Sequence, residues 1–358
     1  MNNAPIPGIN RKIRVALLSF AHTHAETYAK LLSERRDVEV IAADPEGSEA
    51  NDKGPRGAEL AARLGLRYVH SYEEALAWYP DVVIVTAENS RHRELVEAAA
   101  MAGAHILCEK PLATTPEDAR AMVRAAQEAN VFLMAAYPVR FSPAFLSLRD
   151  RIRAGKLGRI LAIRGTNNGK IPLDDRAWFT DPKLSGGGAL VDHVVHCADL
   201  IDELLGDRAV QVRAVTNRIL HEDAGVGVET GGLVTVIYPD GVIASIDCSW
   251  SCPASSPTWG GLTLQVVGTL GTATIDPFSG HVSGHDRSGA VWAPIGDDPN
   301  AAMLDELLSA AREARIPQPD GGVGLRTLEI VSAAQESALT GQPVKLASHE
   351  RPGQPIAH

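Results

Sequence analysis

The sequence predicts an α/β chain, with a helix-covered parallel sheet in its first half and a larger, mostly antiparallel sheet after it. Three observations carry this. Up to about residue 150, short apolar runs alternate with helical patterns of about ten to fifteen residues, as βαβ units do. The runs are apolar on both faces, as strands covered by helices on each side must be. Beyond that point β-rich segments follow one another with hairpin punctuation, and no long helix separates the later ones.

The elements read in order as follows. "KIRVALLSF" is a short β-rich run. "HAETYAKLLSER" is helical by the spacing of Tyr28, Leu31 and Leu32, and "DVEVIAADP" is a strand closed by Pro45. "GAELAARLGL" is a helix with a glycine stop, and "YVHSYEEALAWYP" gives a short strand, a Ser71 cap and a helix. "DVVIVTAENS" and "HILCEKP" are strands, separated by the helix "SRHRELVEAAAMAGA". "TTPEDARAMVRAAQEAN" is a capped helix with Pro116 at its start, and "VFLMAAYPVRF" is a further strand. The second half offers "LGRILAIRGTNNG", "VQVRAVTNRIL", "GGLVTVIYPDG", "VIASIDCSWS", "LTLQVVGTLG" and "TATIDP" as strands. One helix, "GALVDHVVHCADLIDELLG", precedes most of them, and "LRTLEIVSAAQESALTG" closes the pattern.

Composition narrows the function classes. The 358 residues are 45% hydrophobic, enough for a buried core and about two domains. The net charge of −10, from 34 basic and 44 acidic residues, argues against a nucleic-acid partner. No apolar run is long enough to span a bilayer, and the first residues, "MNNAPIPGINRK", are polar, so a cytoplasmic location is expected. The four cysteines are expected to be reduced, and Cys248 and Cys252 lack a zinc spacing.

The segment "LLSFAHTHAETYAKLL" (17–32) lies at the first strand–helix turn, where an open α/β sheet binds nucleotides. The G-x-G-x-x-G fingerprint of such turns is replaced by Ser19, Ala21 and His24. The helix start still offers N–H groups and a positive dipole end to a phosphate, so Ser19, Phe20, Ala21, His22 and His24 are candidate cofactor contacts. Asp44, at the end of the second strand, suits ribose hydroxyls and would repel a 2′-phosphate, favouring NAD over NADP; a turn role before Pro45 is the alternative.

Two motifs carry a family resemblance. Glu109-Lys110-Pro111 resembles the E-K-P signature of the glucose–fructose oxidoreductase/inositol dehydrogenase (Gfo/Idh/MocA) family. "SGGGALVDHVVHCADLIDELLG" resembles its second signature, a glycine-rich entry to a helix bearing Asp192 and, four residues on, His196. The resemblance runs from about residue 12 to 347. It implies an N-terminal Rossmann domain, doubly wound and parallel, a C-terminal α/β domain with a large open sheet, and nicotinamide chemistry on sugars or polyols. The expected division is 1–138 for the dinucleotide domain and 139–358 for substrate binding and oligomerisation, with the last helix (about 323–341) packing back. A homodimer or homotetramer through the sheet is implied.

The resemblance makes Lys110 and His196 catalytic, with Asp192 binding substrate. The residues themselves agree in kind. Lys110 follows an apolar strand, where sites form, and Pro111 after it suggests a cis bond. Asp192 and His196 share a helix face, as do His193 and Cys197 on a neighbouring one, and a carboxylate–imidazole pair suits proton transfer. A solvated Glu109–Lys110 pair and a helix-start network around Asp192 are the bland alternatives. Glu88, Asn89 and His92 align with the family's cofactor-lining T-P-N-x-x-H segment, although Glu88 stands where the family has proline. Glu109 is placed beside the cofactor; Tyr137, Arg140, His193 and Trp178, the last in the loop "DDRAWFTDP" (174–182), beside the substrate. Trp178 is either a sugar-stacking face or simple packing.

The resulting expectation is hydride transfer between NAD and a secondary hydroxyl of a sugar, polyol or inositol-like compound. A redox-neutral reaction with retained NAD (elimination, epimerisation or glycoside cleavage), a metal-dependent member and a non-catalytic one stay open. "HTH" (22–24) and "DHVVH" (192–196) hold four histidines and one aspartate; lone histidines are more often satisfied polar groups, and no metal is expected.

Overall fold

The computed structural model describes residues 11–48, 54–174, 176–287 and 289–347. The polar residues 1–10, Asp175 of the 174–182 loop and the tail 348–358 of the second expected domain lie outside the described residues.

The first layer is a six-stranded parallel sheet of order β3-β2-β1-β4-β5-β6. Its strands and helices alternate. They are β1 (Ile13–Leu18), α1 (His24–Ser33), β2 (Val38–Ala43), α2 (Gly57–Arg63), β3 (Arg67–Val69), α3 (Tyr72–Ala77), β4 (Val82–Val85), α4 (His92–Met101), β5 (His105–Cys108), α5 (Pro116–Glu128) and β6 (Leu133–Ala135). All four residues of β4 and of β5 are buried, as the sequence pattern requires of strands with helices on both faces. Two separate cores result, one on each side of the sheet. The strand order reverses between β1 and β4, so a crevice opens beyond the carboxyl ends of these two strands.

The second layer begins after α6 (Pro143–Arg153), a helix the sequence reading did not assign. It consists of β7 (Ile160–Gly169), α7 (Pro182–Ser185), α8 (Ala189–Leu205), β8 (Gln211–Asn217), β9 (Gly231–Ile237), β10 (Ile243–Ser249), β11 (Gly260–Gly268), β12 (Gly271–Ile275), the hairpin β13 (His281–Asp286) and β14 (Gly289–Pro294), α9 (Pro299–Glu313), α10 (Gly321–Thr340) and β15 (Val344–Lys345). Its seven-stranded sheet, of order β12-β11-β7-β10-β9-β8-β15, is antiparallel apart from the β7–β10 pair. The α8 and α10 helices cover one face, where apolar side chains of the sheet and the helices form the largest core.

The segment 131–141, expected as one strand, is a strand only over Leu133–Ala135; Pro138 then starts a helical turn over Pro138–Phe141. The α9 helix, also unassigned from sequence, returns to the first layer. Its Met303, Leu304, Leu307 and Leu308 enter the core formed by β1, α1 and β4. The α10 helix joins the layers, with Leu328 in a first-sheet core and Val331 and Ala334 in the second.

Candidate active site

The crevice is built from three loops of the first layer and from α8. Lys110 follows β5 directly, and the Lys110–Pro111 bond is cis. Its Nζ donates to Asp192 Oδ1 at 2.6 Å and to the Asp192 carbonyl at 3.2 Å, so the two signature motifs meet. Asp192 Oδ2 also accepts from Trp250 Nε1 at 3.2 Å and lies 3.1 Å from His193 Nε2. Burial pushes the Asp192 carboxyl up, but Lys110 and His193 outweigh it and hold the group well below the usual carboxylate range. Asp192 is therefore a charged hub tied to three protein donors.

His196 stands one turn along the same face of α8. Burial and then the Lys110 charge push its imidazole well below the usual range, so it is neutral at neutral pH. Its buried Nδ1 has no hydrogen-bond partner among the described residues, and its ring meets Tyr137 edge-on at 6.2 Å. The glycines that open α8 serve close approach: a Cβ on Gly188 would sit 2.0 Å from the Glu229 carbonyl oxygen. Glu229 Oε1 in turn accepts from the N–H groups of Gly188 (2.8 Å) and Leu190 (3.1 Å), fixing the helix start.

The β1–α1 turn keeps the shape of a glycine loop without the glycines. Ser19 holds φ at 72°, a left-handed conformation that glycine adopts freely. Its Oγ accepts from the Ala21 N–H and bonds Asp44 Oδ1 at 3.2 Å. The expectation that this helix start offers free N–H groups is corrected here for four of them. The N–H groups of Ala21, His22, His24 and Ala25 each already donate within the protein. Phe20 points into the first-layer core, which leaves only its backbone at the loop.

Under the loop lies a second cluster. Glu109 is fully buried and receives the Tyr28 hydroxyl at 2.6 Å. Its oxygens lie 3.0 Å from His24 Nδ1 and 3.7 Å from His22 Nε2. Burial raises the Glu109 carboxyl, but His22, His24 and the hydrogen bonds hold it well below its usual range. Burial pushes His22 down to about 3, so it is neutral.

Several expected contacts are placed differently. Asp44 is fully buried at the end of β2. Its carboxylate is held by Arg56 (2.8 and 3.2 Å), Ser19 and the Gly57 N–H (2.9 Å). Arg56 also reaches Glu88 at 3.3 Å, so the Asp44 carboxylate, expected to repel a 2′-phosphate, is paired with a guanidinium. His92 is buried with both ring nitrogens against the carbonyls of Ala87, Pro111 and Leu112; it ties the β4 loop to the Lys110–Pro111 turn rather than facing a ligand. Asn89 donates to the Ser185 carbonyl at 2.8 Å. The Tyr137 hydroxyl is engaged with Thr327 at 2.6 Å. Arg140 is buried against Asp199 and Glu203, one to two turns beyond His196, and is spent on that ion pair. Trp178 packs rather than presenting a sugar-stacking face. It is buried, stacks on Phe179 at 4.0 Å and donates to the Ala21 carbonyl at 3.0 Å. Arg56, Glu229 and Trp250 were not legible as site residues. Tyr28, one turn from His24, carried a spacing signal that went unread.

The residue types present fit a nicotinamide dinucleotide. The left-handed Ser19 marks the fingerprint turn. Among the described residues, the buried Glu88 Oε2 and Asn89 Oδ1 have no hydrogen-bond partner on the loop that flanks the crevice, and ribose hydroxyls or a carboxamide can satisfy such groups.

Comparison with known proteins agrees with this architecture. The family model described as "Oxidoreductase family, NAD-binding Rossmann fold" of the GFO/IDH/MocA group matches residues 17–137, and that of the GFO/IDH/MocA C-terminal domain matches 145–274. The chain is 34% identical to a 1,5-anhydro-D-fructose reductase of Ensifer adhaerens, over 81% of this chain and 88% of the relative. It is 32% identical to a D-glucoside 3-dehydrogenase of Escherichia coli strain K12, over 93% and 97%. Among solved structures, GenD2 from gentamicin A biosynthesis in complex with NAD superposes with a TM-score of 0.83 at 25% identity, covering 96% of this chain and 99% of that one.

Proposed function

Because the chain belongs to the Gfo/Idh/MocA oxidoreductase family, we propose that it transfers hydride between NAD and a secondary hydroxyl of a sugar, polyol or inositol-like compound. The observation that carries this reading is the 2.6 Å contact of Lys110 Nζ with Asp192 Oδ1, with neutral His196 one turn away. The relatives named for anhydrofructose reduction and glucoside oxidation support the substrate class.

Nicotinamide, when bound, supplies the hydride acceptor. Glu88 and Asn89, whose Oε2 and Oδ1 have no partner among the described residues, are the side chains that would hold it, beside the backbone turn at Ser19. The Lys110 ammonium hydrogen-bonds the substrate hydroxyl and stabilises negative charge on that oxygen as the proton leaves. His196, neutral and with a free nitrogen, takes the proton. Asp192 keeps Lys110 aimed, while Trp250 and His193 fix the carboxylate. Apolar residues exposed on the outer face of the second sheet, Val215 paired with Leu233, favour a homo-oligomer through that face.

The test is an assay for reduced nicotinamide over a panel of sugars, inositols and their glycosides, with NAD and NADP compared. The wild-type chain is expected to turn over at least one of them. Lys110→Ala is expected to lose about 10²–10⁴ in kcat/KM while still binding the cofactor. A Lys110→Ala variant with most of its activity intact sinks the assignment.

A further inference from the structure

The geometry points to a site for a divalent transition-metal ion formed by His22, His24 and Glu109, with zinc the best-suited occupant. One ligand atom from each residue lies within 4.8 Å of the other two. The separations to the carboxylate, 3.0 Å for His24 Nδ1 and 3.7 Å for His22 Nε2, are ones that ligands about 2.1 Å from a common ion can span.

A second, independent observation points to a ligand. His22 is 3% exposed, and its Nε2 has no hydrogen-bond partner among the described residues although it is aimed at Glu109. An unpartnered buried nitrogen costs free energy, and an ion in the gap satisfies it. The donor set of two imidazoles and one carboxylate is that of open zinc sites, which keep a further position for water or substrate. His24, whose side chain is about a third exposed, marks the side by which an ion enters. An outer shell is in place: the Tyr28 hydroxyl and the Lys110 N–H hold the carboxylate at 2.6 and 3.1 Å.

Three costs oppose the ion. His24 Nδ1 already hydrogen-bonds Glu109 Oε1 at 3.0 Å, a bond that coordination through the two atoms replaces. His24 is the first residue of α1, and a helix start disfavours a cation; the buried Glu109 charge offsets this. His22 Nδ1 accepts from the His24 N–H at 3.2 Å, so coordination through Nε2 requires the ring to give up this long bond and carry its proton on Nδ1. The site does not depend on the hydride-transfer reading, and its test omits the cofactor.

The experiment uses the full-length, untagged chain, stripped with a chelator and titrated with Co²⁺ by visible absorption, then with Zn²⁺ in competition. The expected result is saturation at one ion per chain, with the bands bleached by Zn²⁺. His22→Gln and Glu109→Gln should each lose saturable binding, whereas His70→Gln, at an exposed histidine elsewhere, should keep it. Circular dichroism checks folding, and His24→Gln replaces any variant that fails to fold. Absence of saturable Co²⁺ binding by the wild-type chain overturns the proposal, as does undiminished binding in the ligand variants.

Discussion

Arg140 places its guanidinium between Asp199 and Glu203, below the turn of α8 that carries His196. Removing it strands the buried Asp199 carboxylate, while Glu203 keeps Arg153 at 2.7 Å; breaking a buried pair of this kind costs about 3–5 kcal/mol. Arg140→Ala is therefore expected to lower unfolding free energy by that order, read by denaturant titration. A variant of unchanged stability with a raised KM would instead return Arg140 to the substrate. The two motifs that hold Lys110, Asp192 and His196 were readable because each is local in sequence. What each one touches was not. Asp192 meets Trp250 across 58 residues and His24 meets Glu109 across 85, and no local pattern encodes such contacts. Ser19 shows the converse case, since its left-handed backbone is invisible in a sequence that lacks the glycine marking it.

The decisive element is α8, whose start is held by Glu229 from the β8–β9 connection. Glu229→Ala removes an acceptor shared by two helix N–H groups and should cost about 1–2 kcal/mol. Because it loosens the turn carrying Asp192, kcat should fall while cofactor affinity holds; equal losses in both would place Glu229 elsewhere. The strands of the first layer were readable from their apolar runs, and the α8 and α10 helices from their period. The α6 and α9 helices were missed although their signals are present. Ser142 and Asp298 cap them, Pro143 and Pro299 begin them, and Leu304, Leu307, Leu308 and Ala311 follow helical spacing. α6 straddles the change of pattern near residue 150, and α9 lies in the part of the chain that reads as β-rich, so these local signals stood against the surrounding pattern.

At the scale of the whole molecule, the first layer carries a buried histidine that binds its proton more weakly in the folded chain than in the unfolded one. Burial lowers His105 to about 4, and its ring stacks on Phe132 at 4.1 Å. The folded state thus takes up this proton later than the unfolded one. Its stability is complete above about pH 6.5 and falls as pH drops toward 4. At pH 5 this one group costs about 2 kcal/mol. His105→Asn should flatten the acid limb of a melting-temperature profile between pH 7 and 5, and an unchanged slope would contradict the assignment. The two-layer architecture follows from pattern alone, but the joining of the layers does not. The Lys110–Asp192 contact, the Trp178–Ala21 bond and the return of α9 are long-range matches that only the folded chain brings together.

The central claim is that Lys110 and His196, coupled through Asp192, move a proton at one substrate oxygen as hydride leaves the carbon beside it. Rapid mixing of the cofactor-loaded chain with an active sugar or polyol, followed by the near-ultraviolet absorbance of reduced nicotinamide, tests it most directly. A single-turnover burst is expected in the wild-type chain, and Lys110→Ala and His196→Ala should each slow it by about 10²-fold or more at unchanged cofactor occupancy. A burst of wild-type rate in either variant would contradict it.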